Sequence, residues 1–175
     1  IRLVSWVDGQ PLAETNRSDA ALESLGRMLG RFDAALKGFM HPGALRDLDW
    51  DIRKAGRSAE RLHHVSASED RALLQRFLAR FTKLAPRLAT LRAAVIHNDA
   101  NDWNVLVDPA DQDRISGLID FGDALHAPLI AEVAIASAYA GLDHTDPIGA
   151  AAAIARGFHA EYPLLEEEID LLYDL

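Results

Sequence analysis

Cysteine is absent from the 175 residues, so neither a disulfide framework nor a thiolate zinc site is available. Cytoplasm is the expected location. Long apolar runs are also missing. The longest, Ala127 to Leu142, is interrupted by Glu132 and is too short to span a bilayer, and no signal-peptide pattern opens the chain. Basic excess is lacking too: 18 lysines and arginines face 27 aspartates and glutamates, a net charge of -9. This balance argues against nonspecific nucleic-acid binding, which depends on basic neutralisation of phosphates, and no membrane partner is expected. No G-x-G-x-x-G occurs to cradle a phosphate, and Gly26 and Gly30, four apart in a helical pattern, are read as helix-packing residues. Internal repeats, linkers and low-complexity tracts are missing as well. A hydrophobic content of 49% over this length suits one domain with a sizeable core.

What is present is concentrated between residues 97 and 123. His97-Asn98-Asp99-Ala100-Asn101-Asp102-Trp103-Asn104 reads H-x-D-x-x-x-x-N, and Asp120-Phe121-Gly122 follows as D-F-G, the spacing of a phosphoryl-transfer loop. A carboxylate at Asp99 can take the proton of an attacking hydroxyl. Asn104 and Asp120 offer hard oxygen ligands of the kind magnesium requires. Asn104–Val107 reads as a short strand, 108–113 as a turn, and Arg114–Ile119 as the returning strand. Such a hairpin places Asp120 beside Asn104. An ordinary turn with surface carboxylates explains each half of the motif alone, but not both halves at this spacing.

These motifs resemble the aminoglycoside phosphotransferase and choline kinase superfamily, which shares the protein-kinase-like fold. Within it, His97 to Leu106 and Gly117 to Asp123 look most like the hydroxylysine kinase branch, including kinase domains fused to aminotransferases. Leu29-Gly30-Arg31, Leu48 to Arg53 and Glu132-Val133-Ala134 extend the similarity along the chain. The resemblance implies an α+β, mostly α fold: the C-terminal, large lobe of a kinase, with a small β-hairpin carrying the catalytic and metal-binding loops. Residues 1–10 would be the end of the small lobe and the hinge, and residues 11–175 the catalytic lobe. Trp6 and Val7 would lie against the adenine of ATP, although a simple edge strand explains Ile1 to Gly9 equally well. By the same resemblance Asp99 is the catalytic base, His97 belongs to the catalytic loop and braces it, and Asn104 and Asp120 hold Mg2+. Asp123 is either a further metal carboxylate or the cap of a following helix. Asn101 stands where protein kinases carry a lysine, and it can contact the nucleotide only as a hydrogen-bond donor. Asn98 replaces a glycine found in many relatives, and asparagine tolerates positive φ.

The implied activity is ATP-dependent phosphorylation of a small-molecule hydroxyl, on an amino alcohol or a hydroxylated amino acid. Its partners would be that substrate, the small lobe missing from the chain, and a fused aminotransferase domain. The chain read alone is expected to be inactive. A catalytically inactive binding or scaffold domain is the alternative, opposed by the intact Asp99, Asn104 and Asp120. A metal-dependent phosphohydrolase is weaker still, because His63, His64, His97 and Asp99 form no ligand pattern.

Elsewhere the periodicity predicts helices. One starts at Ser18 or Asp19 and ends near Gly38, and a less regular one covers 48–62. A third follows the capping-box pattern Ser66-Ala67-Ser68-Glu69 and stops before Pro86. Ala93–Ile96 reads as a buried strand. Helices are expected over 129–140, from Pro147 to about Tyr162, and from Leu165 onward. His63-His64 reads as a surface pair. His126 either faces substrate or packs on Pro128, and Glu132 either pairs with a basic group or faces the cleft. Trp50, Trp103 and Tyr139 read as core or cleft wall.

Overall fold

Helix α1 (Asp19–Ala35) starts where Ser18 accepts the Ala21 N–H at 3.1 Å, and the same hydroxyl donates to the Asp113 carboxylate. In this computed structural model, which describes residues 4–175, α1 buries Leu22, Leu25 and Leu29 completely. Gly26 and Gly30 occupy the same face and bring α4 (Pro147–Glu161) into backbone contact. A Cβ on Gly26 would fall 2.0 Å from the Ile154 carbonyl oxygen, and one on Gly157 would fall 2.0 Å from that of Glu23. Asp146 caps α4 by accepting the Gly149 N–H at 2.9 Å, as the Thr-Asp-Pro signature anticipates. The apolar α3 (Ile130–Gly141) packs across α4 and completes a core that includes Ile130, Val133, Ile154 and Phe158.

Two small antiparallel sheets stand on this helical base among the described residues. The first has the order β1-β3-β4, with β1 at Gln10–Pro11, β3 at Val105–Asp108 and β4 at Asp111–Leu118. The second pairs β2 (Ala93–Ile96) with β5 (Leu125–Pro128), Val95 standing opposite His126. The expected hairpin is therefore present, but its connection is only Pro109-Ala110. Asp108 accepts the Ala110 N–H at 2.8 Å and pairs with Arg114, so β4 begins at Asp111 rather than Arg114.

Several sequence expectations are corrected. A strand over Ile1–Gly9 falls partly on residues 1–3, outside the described residues, and residues 4–9 are irregular. The strand is Gln10–Pro11, because those two residues take the available register against β3. Residues 7–9 lie along β4 instead: the Ser116 hydroxyl donates to the Asp8 carbonyl at 3.2 Å, and the missing Cβ of Gly117 makes room for Val7. Helix α2 (Ser68–Leu88) runs through Pro86, which sits in its last turn and forfeits one backbone bond. No capping box forms there; the Arg71 guanidinium instead donates to the Val65 carbonyl at 2.6 Å. The segment before it, Ile52–His64, is 3₁₀-helical, and α5 (Glu166–Leu172) is shorter than its pattern. None of the described helices is long and apolar enough to cross a membrane.

Candidate active site

The segment between β2 and β3 is a loop whose polar side chains largely bind one another. Asp99 accepts from the Asn101 amide at 2.9 Å through one carboxylate oxygen and from the Asn104 amide at 2.8 Å through the other. The Asn101 side-chain oxygen Oδ1 in turn accepts the N–H groups of Trp103 at 2.9 Å and Asn104 at 3.1 Å. Both ends of Asn101 are thus committed inside the loop. His97 is fully buried, with Nε2 3.0 Å from the Ile119 carbonyl and Nδ1 receiving the Asp99 N–H at 3.3 Å. Those contacts fit one neutral tautomer, Nε2 donating and Nδ1 accepting. Burial lowers the His97 pKa, which agrees.

Hairpin register brings the second motif alongside. Val105 pairs with Leu118, and the Ile119 N–H donates to the Asn104 carbonyl at 2.9 Å, so Asp120 follows directly beside Asn104. Asp120 takes a left-handed backbone, φ 61°, and accepts the Gly122 N–H at 3.1 Å. Phe121 lies edge-on to the His97 ring at 4.8 Å and near Phe32 at 5.4 Å, joining the two loops to α1. Asp123 ends the short 3₁₀ turn after Asp120 and caps no helix: β5 intervenes, and α3 starts at Ile130 without a side-chain cap. Asp123 faces the cavity that holds Asp99. Asn104 and Asp120 supply oxygen donors of the kind Mg2+ takes, so the residues present fit such an ion.

Beneath the loop lies a buried acidic pair. Glu132 has no basic partner among the described residues and accepts the Asn98 N–H at 3.1 Å, anchoring the loop to α3. Burial raises its pKa to about 7. Asp33 of α1 is also fully buried with neither oxygen hydrogen-bonded, and burial, then the charge of Glu132, raise it to about 9. Burial thus favours protonation across the pair, and Glu132 Oε2 accepts the Asn98 N–H in the same dry setting.

Above the loop a cavity of about 430 Å³ is walled by Trp50, Ile135 and Tyr139 and floored by Asn98, Asp99 and Asp123. Trp50 and Tyr139 line the cleft and are not core; Trp103, largely exposed like Trp50, does not line it. The Trp50 segment is braced by Asp51, whose buried carboxylate binds Arg53 at 2.8 Å while Arg53 donates to the His126 carbonyl at 2.9 Å. His126 is thus a strand residue paired with Val95. Trp6 is exposed and Val7 lies on Gly117, outside this cavity. His63 and His64 are exposed at a helix end, and no cluster of three metal-ligating His, Cys, Asp or Glu side chains occurs among the described residues. Sequence reasoning missed Asp33, hidden in an amphipathic pattern, and Arg46, which donates to the Gly122 carbonyl. It also missed the Asn98 side chain, which has no hydrogen-bond partner among the described residues.

This architecture has known counterparts. The structure resembles aminoglycoside phosphotransferase APH(3'')-Id from Streptomyces rimosus, with TM-score 0.61 and 22% identity over 97% of this chain and 66% of that one. It also resembles the aminoglycoside-3'-phosphotransferase of type VIII, with TM-score 0.60, 23% identity and the same coverage. Among curated proteins, hydroxylysine kinase of Mus musculus is 28% identical over 99% of this chain and 49% of its own length. Hydroxylysine kinase of Xenopus laevis is 28% identical over 100% and 50%. The chain spans about half the length of these relatives. The phosphotransferase enzyme family (APH) model matches residues 1–167, and with the loop geometry above it settles the assignment: the chain belongs to the phosphotransferase enzyme family.

Proposed function

We propose that this chain is the catalytic lobe of an ATP-dependent kinase that phosphorylates the hydroxyl of a small amino alcohol or hydroxylated amino acid such as hydroxylysine. The observation that carries the reading is the Asp99 carboxylate, held by two side-chain amides at the floor of a cavity, with Asn104 and Asp120 side by side behind it. Asp99 accepts the proton of the acceptor hydroxyl as its oxygen bonds to the γ-phosphorus, while the bond from that phosphorus to the bridging oxygen of ADP breaks. His97, neutral and buried, holds Ile119 and therefore Asp120 in register with the base. Asn104, Asp120 and Asp123 are the residues that would hold magnesium. When bound, Mg2+ neutralises charge on the phosphates.

Support for the acceptor class comes from the hydroxylysine kinases matched above. Support for the nucleotide comes from the fold, since APH(3'')-Id has been solved in complex with ADP and streptomycin. In this reading Trp6 and Val7 border the adenine. The glycine-rich loop and its lysine come from a small lobe outside these residues, and a fused aminotransferase domain is a compatible neighbour. A cytoplasmic setting completes the proposal.

The test is ATP consumption by the intact protein with magnesium across amino alcohols and hydroxylated amino acids, including hydroxylysine. Turnover on one of them is expected. Asp99→Ala should lower kcat by about 10²–10⁴-fold while nucleotide still binds. A protein that binds nucleotide but phosphorylates nothing in the panel would instead be a binding domain.

A further inference from the structure

Asn98 departs from the self-contained pattern of its loop. Around it, the side chains of His97, Asp99, Asn101 and Asn104 all have hydrogen-bond partners inside the protein. The Asn98 side chain has none among the described residues: its residue is 3% exposed, yet neither Oδ1 nor Nδ2 is bonded. A carboxamide withdrawn from water and left unpaired is costly, and it becomes favourable when a ligand completes it. Asn98 also lines the cavity that holds Asp99, its immediate neighbour in the chain.

We propose that Asn98 determines acceptor specificity: its carboxamide binds the amine or second hydroxyl that neighbours the reacting hydroxyl. The proposal rests on the phosphotransferase reading above. The chemistry of the wall selects a donor group. Asp99 and Asp123 contribute carboxylates, Trp50 and Tyr139 contribute aromatic surface, and no lysine or arginine is among the described lining residues. A hydrogen-bond donor on the substrate therefore meets Oδ1 in a region where acceptors already dominate. Because Asn98 and Asp99 line the same cavity, that donor belongs to a group close to the hydroxyl being phosphorylated. Sites built around a buried hydrogen bond discriminate strongly against analogues that lack the group.

A purely structural role for Asn98 makes a different prediction. Its backbone is left-handed, φ 66°, a conformation glycine adopts freely, and its N–H to Glu132 does not depend on the side chain. Asn98→Gly therefore keeps the loop and removes only the carboxamide. The experiment measures kcat and KM of the intact protein, with Mg2+ and ATP, on matched acceptors of one chain length: a vicinal amino alcohol, a vicinal diol and a mono-alcohol. In the wild type the two bifunctional acceptors should be preferred. Asn98→Gly should cut that preference by about tenfold or more, mainly through KM. Asn98→Asp, which retains the acceptor oxygen, should keep the preference for the amino alcohol. An unchanged preference in Asn98→Gly overturns the proposal while leaving the kinase intact. A wild type that neither binds nor phosphorylates any of the three overturns both readings at once.

Discussion

Along the 17 residues of α1, Ala21, Leu22, Leu25, Gly26, Leu29, Gly30 and Asp33 are buried. Along the 21 residues of α2 only Leu84 and Leu88 are, and along the 13 residues of Ile52–His64 none is. The first region packs backbone on backbone through glycines. The second holds Lys54, Arg57 and Arg61 to Asp47 and Asp49 through exposed ion pairs, and leaves Leu73, Leu74 and Phe77 facing solvent. Exposed pairs of this kind contribute little, about 0–1 kcal/mol each. The loop that carries Asp99 is seated by Glu132 on α3, which packs with α1 and α4, whereas the second region meets the site through the Asp51–Arg53 brace that supports Trp50. Asp99, the proposed base, thus sits on the densely packed part together with the Ile135 and Tyr139 side of the cavity, and only the Trp50 side is mounted on the lightly packed one.

The contrast can be broken at its tightest point. Gly157→Ala sets a methyl against the Glu23 carbonyl, and denaturant unfolding should show a loss of about 3 kcal/mol. A loss under 1 kcal/mol would mean that the α1–α4 seam yields easily.

A smaller effect, of opposite sign, is expected at Asp33. Its pKa is raised from 3.8 to about 9, so the folded state favours the protonated form. The associated stability is fully present below pH 3.8, is lost as pH rises, and is gone above about 9. Asp33→Asn removes the ionisation. The stability of the variant relative to wild type should rise steadily between pH 5 and 9 in unfolding titrations. A pH-independent difference would show that Asp33 does not ionise on this scale.

The least effect belongs to the exposed arm. Phe77→Ser should change stability by no more than about 0.5 kcal/mol, read by thermal melts. A loss of several kcal/mol would place Phe77 in a core and erase the distinction between the two regions.

Most of what positions the chemistry is local and therefore legible from residues alone. Ser18 and Asp146 are caps, and the hairpin follows from two short apolar runs around Asp108-Pro109. Their interactions are close in sequence. Partnerships over long separations are not. β5 was unreadable because Leu125–Pro128 is a strand only through its pairing with β2, about thirty residues earlier. Asp33 sits at a position where an amphipathic helix pattern permits either face, and nothing nearby announces Glu132. Pro86 misled for a related reason: its cost depends on which turn of the helix it occupies, and the last turn forgives it. The side-chain exposure of α2 was equally hidden, since its apolar spacing matches that of a buried helix.

The two-residue turn at Pro109-Ala110 lies at the far end of the hairpin from Asn104 and Asp120. The four residues of β3 separate them by about 13 Å. That distance makes the tip a handle: a fluorophore or an inserted epitope attached there would ride on the same ribbon as Asn104 and Asp120, the proposed magnesium ligands, without entering the cleft. Motion of the hairpin during a reaction cycle could then be followed optically in an otherwise unaltered protein.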